Sequence, residues 1–367
     1  MVYTFRECDV MTVSSIQQGP QLVTFSTGLT SGFSLTGAGT PPTVGTTRQA
    51  EAPRPAPLVA QTSTDKPVIR AHGTGKVVGA DGRVAGATVD LGGRTAGAYV
   101  ANLSEAQLKA LAPADRAELV RVAAGEIEGH RTNRQNGGVV DARAEAASNA
   151  ALTRLYETWR PSTERMTELK AQTAAFSQEF SQKYDVRQMN ARWDKMSPKE
   201  QEAVLTDIHA MHARHFGYEP GKVTLVTKPR DNDEALWAMR AGGDYNPVTN
   251  EMRINGNPNR PGPKDFMSQA ATVVHEGCHR RQDLEAEAAV ANGLPQPPTG
   301  KAGDTVMFWA NYQNDGFVKN AGQMGYQGNP LEQEAWLATD AFLKGVNRPG
   351  ALPLGHPLQA ELRRLVD

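Results

Sequence analysis

Cysteine is scarce in this chain, whose 367 residues include only Cys8 and Cys278. Two cysteines so far apart, one of them near the N-terminus, do not indicate a structural disulfide. Packing must therefore stabilise the fold, which is compatible with a reducing compartment. Long apolar runs are also missing. No stretch of about 18 apolar residues occurs, which excludes a membrane-spanning helix.

The chain also has no excess of positive or negative charge. Lysine and arginine number 39, aspartate and glutamate 40, and the formal net charge is -1. This balance does not indicate a nucleic acid or an anionic membrane surface as a partner. The N-terminus MVYTFRECDVMTVSS carries acidic residues where a secretory signal peptide has its apolar centre, so we expect no ordinary signal peptide.

Charge is missing altogether between Asp9 and Arg48, where Ser, Thr, Gly and Pro predominate. Such a composition cannot bury enough apolar surface to offset the entropy of ordering the chain. We therefore predict that residues 1–70 are a disordered leader, either a plain flexible tail or an export signal. Residues 71–100 are rich in glycine, with short β-branched runs around an Ala-Asp-Gly turn, and predict a small hairpin.

The rest of the chain predicts an α+β fold that is mostly helical. Residues 101–190 have the pattern of a helical region, in which Ser104 caps the first helix and Pro113 and Pro161 separate later ones. This region is expected to be a structural or partner-binding bundle.

Residues 191–367 change character and predict a second domain with a small sheet. Ser197-Pro198-Lys199-Glu200 is a capping box that begins a helix ending near Phe216. Residues 222–228 predict a strand, and Met252 to Asn255 predict another after a turn. A helix is expected over about 264–292, ended by glycine and proline.

The segment His275-Glu276-Gly277-Cys278-His279 carries the strongest chemical signal. Apolar residues recur through this helix at i, i+4, i+7 and i+11, at Met267, Ala271, Val274 and Cys278. This spacing predicts an amphipathic helix with Cys278 on its core side. His275 and His279 then lie one turn apart and can bind a single ion, with Glu276 beside the open position.

A catalytic zinc needs a third protein ligand, and the residues alone leave several candidates open. Glu332 and Glu334 lie near the start of a later helix, on opposite sides of its apolar face, although Glu332 also fits a capping box. Asp283 follows His279 by four residues on the same helix face and can instead accept an imidazole N–H.

Together, HEGCHRRQ and NPLEQEAW resemble the glutamate zincins, metallopeptidases whose third ligand is a glutamate on a later helix. The resemblance covers about 197–345. It implies a zincin-like domain that binds Zn²⁺ through His275, His279 and Glu332, with Glu334 as the second choice for the last ligand. An Asp283 ligand would instead resemble the aspartate zincins.

The same resemblance implies hydrolysis of peptide bonds in a protein substrate, with Glu276 as the general base acting on zinc-bound water. An oxyanion donor is also expected. Tyr326 is the first candidate and Tyr312 the alternative, whereas Tyr245 fits turn packing. The substrate is expected to pair with a sheet edge, for which Met252 to Asn255 is the predicted strand.

Three further histidines, His209, His212 and His215, lie on the helix after the Ser197 cap. Their spacing of three residues makes them sweep around the helix instead of converging. We therefore expect packing or exposed side chains there, and not a second metal site.

The leader with its uncharged stretch, the low cysteine content and the lack of a signal peptide resemble those of bacterial effector or toxin metallopeptidases delivered into another cell. On this basis we expect a protein secreted without a classical signal peptide, with a host protein as a possible substrate, or otherwise a cytoplasmic one. Two alternatives stay open: a peptidoglycan or self-processing peptidase, and a host-protein-binding effector with a structural zinc site.

Overall fold

A computed structural model describes residues 77–79, 81–259, 263–292, 298–313 and 328–347 of the chain. Two predictions concern residues outside these ranges: the disorder of residues 1–70, and Tyr326 as the oxyanion donor. In the glycine-rich segment, one antiparallel bridge joins Val78 and Val84 around the turn that contains Gly82.

Helices dominate the described residues, and a small sheet lies between them. The helices are α1 Ala96–Ala101, α2 Glu105–Lys109, α3 Pro113–Gln135, α4 Ala142–Glu157, α5 Thr163–Lys183, α6 Val186–Trp193, α7 Pro198–Phe216, α8 Asn232–Arg240, α9 Phe266–Asn292, α10 Gly300–Gln313 and α11 Pro330–Gly345. The strands are β1 Lys222–Val226, β2 Gly243–Asn246 and β3 Glu251–Asn255. The predicted mostly helical α+β class is confirmed.

Several helix ends follow from local chemistry. Capping boxes form at Ser104 and Ser197: their hydroxyls accept from the third helical N–H, and the side chains of Gln107 and Glu200 accept from the cap backbone. The capping box considered for Glu332 does not form, because the Asn329 side chain accepts from the N–H of Leu331 instead. At the other end of α7, Gly217 adopts φ 74°, a left-handed conformation that glycine reaches without steric cost. These bonds satisfy backbone groups that a helix end would otherwise leave unpaired.

The sheet has the order β1-β3-β2, with β1 parallel and β2 antiparallel to β3. The prediction that Met252 to Asn255 forms a sheet edge is therefore wrong, because β3 is the central strand. Strand β2, which the sequence pattern did not indicate, forms the edge next to α9. A Cβ on Gly243 would lie 2.6 Å from Cγ2 of Thr272 on α9, so only glycine permits this close approach.

The apolar core has two clusters, and α9 contributes to both. One cluster joins α5, α6, α7, the sheet, α11 and the first half of α9, whereas the other joins α1 to α4, α10 and the end of α9. The helices of the 101–190 region thus contribute to both clusters. The predicted domain boundary near residue 190 stays a prediction.

No helix in the described ranges is long and apolar enough to span a membrane.

Candidate metal centre

Two imidazoles and one carboxylate meet where α9 packs on α11. His275 and His279 lie one turn apart on α9, with their ring centroids 4.9 Å apart. On α11, Glu332 places Oε2 3.2 Å from Nε2 of His275 and Oε1 3.3 Å from Nε2 of His279. All three side chains are buried, and Glu332 is only 1 % exposed.

The spacing of these atoms fits a metal ion. A tetrahedral zinc ion with bonds of about 2.0–2.1 Å places its ligand atoms roughly 3.3–3.4 Å apart. One ligand atom from each of His275, His279 and Glu332 lies within 4.8 Å of the other two. The predicted trio can therefore hold a metal ion, and its two imidazoles and carboxylate suit several transition metals.

Electrostatics couples the members of the trio. Burial alone would raise the pKa of Glu332, but the neighbouring imidazoles hold it well below its ordinary range. Burial alone would lower the pKa of His279, but the Glu332 carboxylate raises it to about 9. The charged imidazole of His279 compensates the buried Glu332 carboxylate when no metal is bound, and a bound metal ion would supply that positive charge instead.

Glu276 is buried beside the trio without being one of its members. Burial raises the pKa of its carboxyl group, and His275 and His279 partly offset this effect. Among the described residues, no side-chain hydrogen bond engages the Glu276 carboxylate. Its oxygens are therefore free to accept a proton.

The two rival third ligands are held by arginines. Glu334 is fully buried and accepts hydrogen bonds from Arg165 and Arg281. Asp283, also fully buried, accepts from Arg280 at 3.4 Å and from the hydroxyl of Tyr245 at 3.1 Å. Of the three predicted alternatives, Glu332 is the one that lies against the imidazoles.

The two imidazoles of the trio are held by different contacts. Nδ1 of His279 lies 3.0 Å from Oε1 of Gln282, which sequence reasoning missed. The His275 ring packs against Trp336 at a centroid distance of 4.6 Å, and its Nδ1 has no hydrogen-bond partner among the described residues. Gln282 follows His279 by three residues, a spacing that brings side chains together on a helix and could have identified it.

Tyr312 and Tyr245, the two described tyrosines considered above as oxyanion donors, both use their hydroxyl protons in other hydrogen bonds. Tyr312 donates to the backbone carbonyl of His279 at 3.0 Å. Tyr245 donates to Asp283 and accepts from Arg280 at 2.8 Å. An oxyanion donor from Tyr326 stays a prediction.

Among the described residues, the three histidines of α7 belong to no group of side chains with metal-ligand spacing. His215 pairs with Glu179 at 2.7 Å, and Nδ1 of His212 lies 2.8 Å from the hydroxyl of Tyr218. Burial lowers the pKa of His209 to about 4 and holds that of His212 well below its ordinary value, so both rings are neutral at pH 7. Within the described ranges, the trio on α9 and α11 is the one group with metal-ligand spacing.

No protein-family model, curated protein or solved structure matches the chain. The resemblance to glutamate zincins therefore depends on the motif residues and their geometry alone.

Gly277 lies inside the motif, and its lack of a side chain lets α7 approach α9 closely. A Cβ at this position would lie 2.7 Å from Oη of Tyr218 and 2.8 Å from Nδ1 of His212. His212 is fully buried, Tyr218 is partly buried, and the 2.8 Å contact between them holds both side chains in place. The glycine is thus explained by packing between α7 and α9.

Replacing Gly277 by Ala should lower the free energy of unfolding by about 1–2 kcal/mol, because the cost of overpacking this contact exceeds the gain from the better helix propensity of alanine. The matched control is Gly129→Ala on α3, where an added Cβ meets nothing within 4 Å. Since alanine favours a helix over glycine, the control should gain about 0.5–1 kcal/mol. Urea unfolding measures both values, and equal stabilities for the two variants would contradict the packing account.

Proposed function

We propose that this chain is a zinc-dependent endopeptidase of the glutamate-zincin type, which hydrolyses peptide bonds of a protein substrate. The observation that carries the proposal is the buried trio of His275, His279 and Glu332 with the Glu276 carboxylate beside it. The predicted leader, whose residues 10–47 carry no charge, supports delivery of the peptidase into another cell as a bacterial effector or toxin.

In this proposal His275, His279 and Glu332 hold the ion. Lewis-acid activation of a water molecule and of the scissile carbonyl is the chemistry that zinc supplies when it is bound. Glu276 accepts a proton from the attacking water and delivers it to the leaving amine nitrogen. The absence of a competing hydrogen bond to Glu276 among the described residues supports this role.

The outer edge of β2 is the best-supported surface for an extended substrate. The N–H of Asn255 donates to the carbonyl of Gly242, so alternate residues of β2 pair with β3. By this alternation, the N–H and C=O groups of Gly243 and Tyr245 point away from β3. In the described part of the sheet no strand pairs with this edge. Gly243 also lies against Thr272, about one helical turn before His275.

Cleavage of a proteome-derived peptide library should depend on the metal. We expect new N-termini after incubation with the purified protein, their loss after treatment with a chelator, and their return when equimolar zinc is added. The control is a chelator already saturated with zinc, because it leaves the zinc of the protein in place. Cleavage that survives removal of the metal would contradict the proposal, as would a zinc-loaded chain that cleaves no peptide or protein.

A further inference from the structure

The Gln282 side chain can take only one orientation in its surroundings. Its Nε2 donates to the backbone carbonyl of Leu331 at 3.0 Å and to Oε2 of Glu334 at 2.7 Å. Both partners accept hydrogen bonds and cannot donate them when Glu334 is ionised. A flipped amide would place Oε1 against two acceptors, so Oε1 must face Nδ1 of His279.

This orientation fixes the protonation pattern of His279. An amide oxygen only accepts, so the hydrogen bond of 3.0 Å between His279 and Gln282 requires a proton on Nδ1. The lone pair of the neutral ring is then on Nε2, the atom that lies 3.3 Å from Glu332. That nitrogen is the one aimed at the metal position.

Glu334 is itself held in place by charge. Nε of Arg165 on α5 lies 2.6 Å from Oε1 of Glu334, and Arg281 donates to the same oxygen. Arg165 also binds Glu285 at 2.6 Å. Arg165, Arg281 and Glu334 are nearly inaccessible to water, so the hydrogen bonds among them are strong and their geometry is well defined. Gln282 is therefore anchored by a network that joins α5, α9 and α11.

We infer that Gln282 is a positioning residue of the metal centre, which fixes the tautomer and the ring orientation of His279. The inference rests on the proposed zinc-dependent function. His275 has no equivalent partner among the described residues, since its ring packs on Trp336 and its Nδ1 is unpartnered. Hydrogen bonding thus orients one ligand ring, and packing orients the other.

The test is the zinc affinity of the full chain, measured by competition with a chromophoric chelator. Gln282→Met keeps the length of the side chain and removes its acceptor and donor. Loss of a partner that orients a metal-bound imidazole typically costs about 10- to 100-fold in affinity, and we expect a loss of this size. The matched control is Gln269→Met, a buried glutamine of the same helix that does not touch the trio. We expect the control to keep the parent affinity.

A spectroscopic measurement separates positioning from a purely structural role. In the zinc-loaded parent, the Nδ1 proton of His279 should exchange slowly with solvent by NMR, and its exchange should be faster in Gln282→Met. If Gln282→Met does not fold, the measurement on the zinc-loaded parent still decides, since positioning requires a slowly exchanging proton on Nδ1 of His279.

The outcomes distinguish this inference from the proposed function. Failure of the parent to bind zinc through the trio would remove the proposed function and the inference together. Parent affinity in Gln282→Met, equal losses in Gln282→Met and Gln269→Met, or a rapidly exchanging Nδ1 proton of His279 in the zinc-loaded parent would overturn the positioning role alone. In those cases the proposed function as a zinc-dependent peptidase would not be affected.

Discussion

Replacing Glu276 by Gln should leave the zinc content unchanged and lower the rate of peptide cleavage by about 10²- to 10⁴-fold, the usual contribution of a general acid–base group. The amide has nearly the shape of the carboxyl group, so the buried position should still be filled. It cannot accept the proton of the attacking water. Because Glu276 is outside the trio that can hold the ion, the metal should not depend on its charge.

The control for this variant is Glu287→Gln, the same substitution eleven residues, or about three turns, further along α9. It should cleave at the parent rate, because it changes one charge on the same helix far from the trio. Zinc content and cleavage rate are measured for both variants. Parent-level cleavage by Glu276→Gln would remove the general-base assignment, and equal slowing by the control would show that the charge of the helix matters instead.

Replacing Glu334 by Ala should cost about 3–5 kcal/mol of unfolding free energy, because it leaves two buried guanidinium groups short of their anion. Burial alone would raise the pKa of Glu334, but Arg165 and Arg281 lower it to about 2. The folded pKa thus lies below the unfolded one. The stabilisation is complete at neutral pH and is lost as the pH falls from the ordinary carboxyl value through about 2.

Glu168→Ala on α5 is the matched control for Glu334→Ala. Glu168 pairs with Lys301 at 2.5 Å, but both side chains are about one-third exposed, at 34 % and 31 %. Exposed ion pairs contribute about 0–1 kcal/mol, so this variant should stay close to the parent. The free energies come from urea unfolding of the metal-free proteins at neutral pH. A loss for Glu334→Ala no larger than that for the control would show that the buried network does not stabilise the fold.

Local patterns predicted the helices better than the sheet. The helix expected over about 264–292 is observed as Phe266–Asn292, and the capping box at Ser197 begins α7 as predicted. Strand β2 has the sequence Gly-Asp-Tyr-Asn, which has little intrinsic preference for a strand. Its pairing with β3 and the contact of Gly243 with Thr272 are tertiary effects, so the strand order could not be predicted.

The same distinction applies to the candidate site. His275, Glu276 and His279 follow from helical spacing within one segment. The choice among Glu332, Glu334 and Asp283 depended on how α9 packs on α11, and the arginines that engage Glu334 and Asp283 come from tertiary contacts. Arg165 illustrates this, because it lies 169 residues before Glu334 in the chain.

Elemental analysis of the purified parent and of Glu332→Ala tests the central claim most directly. The account predicts equimolar zinc in the parent after extensive washing, and loss of most of that zinc when the Glu332 carboxylate is removed. A parent without a bound divalent metal, or a Glu332→Ala variant that retains equimolar zinc, would contradict it.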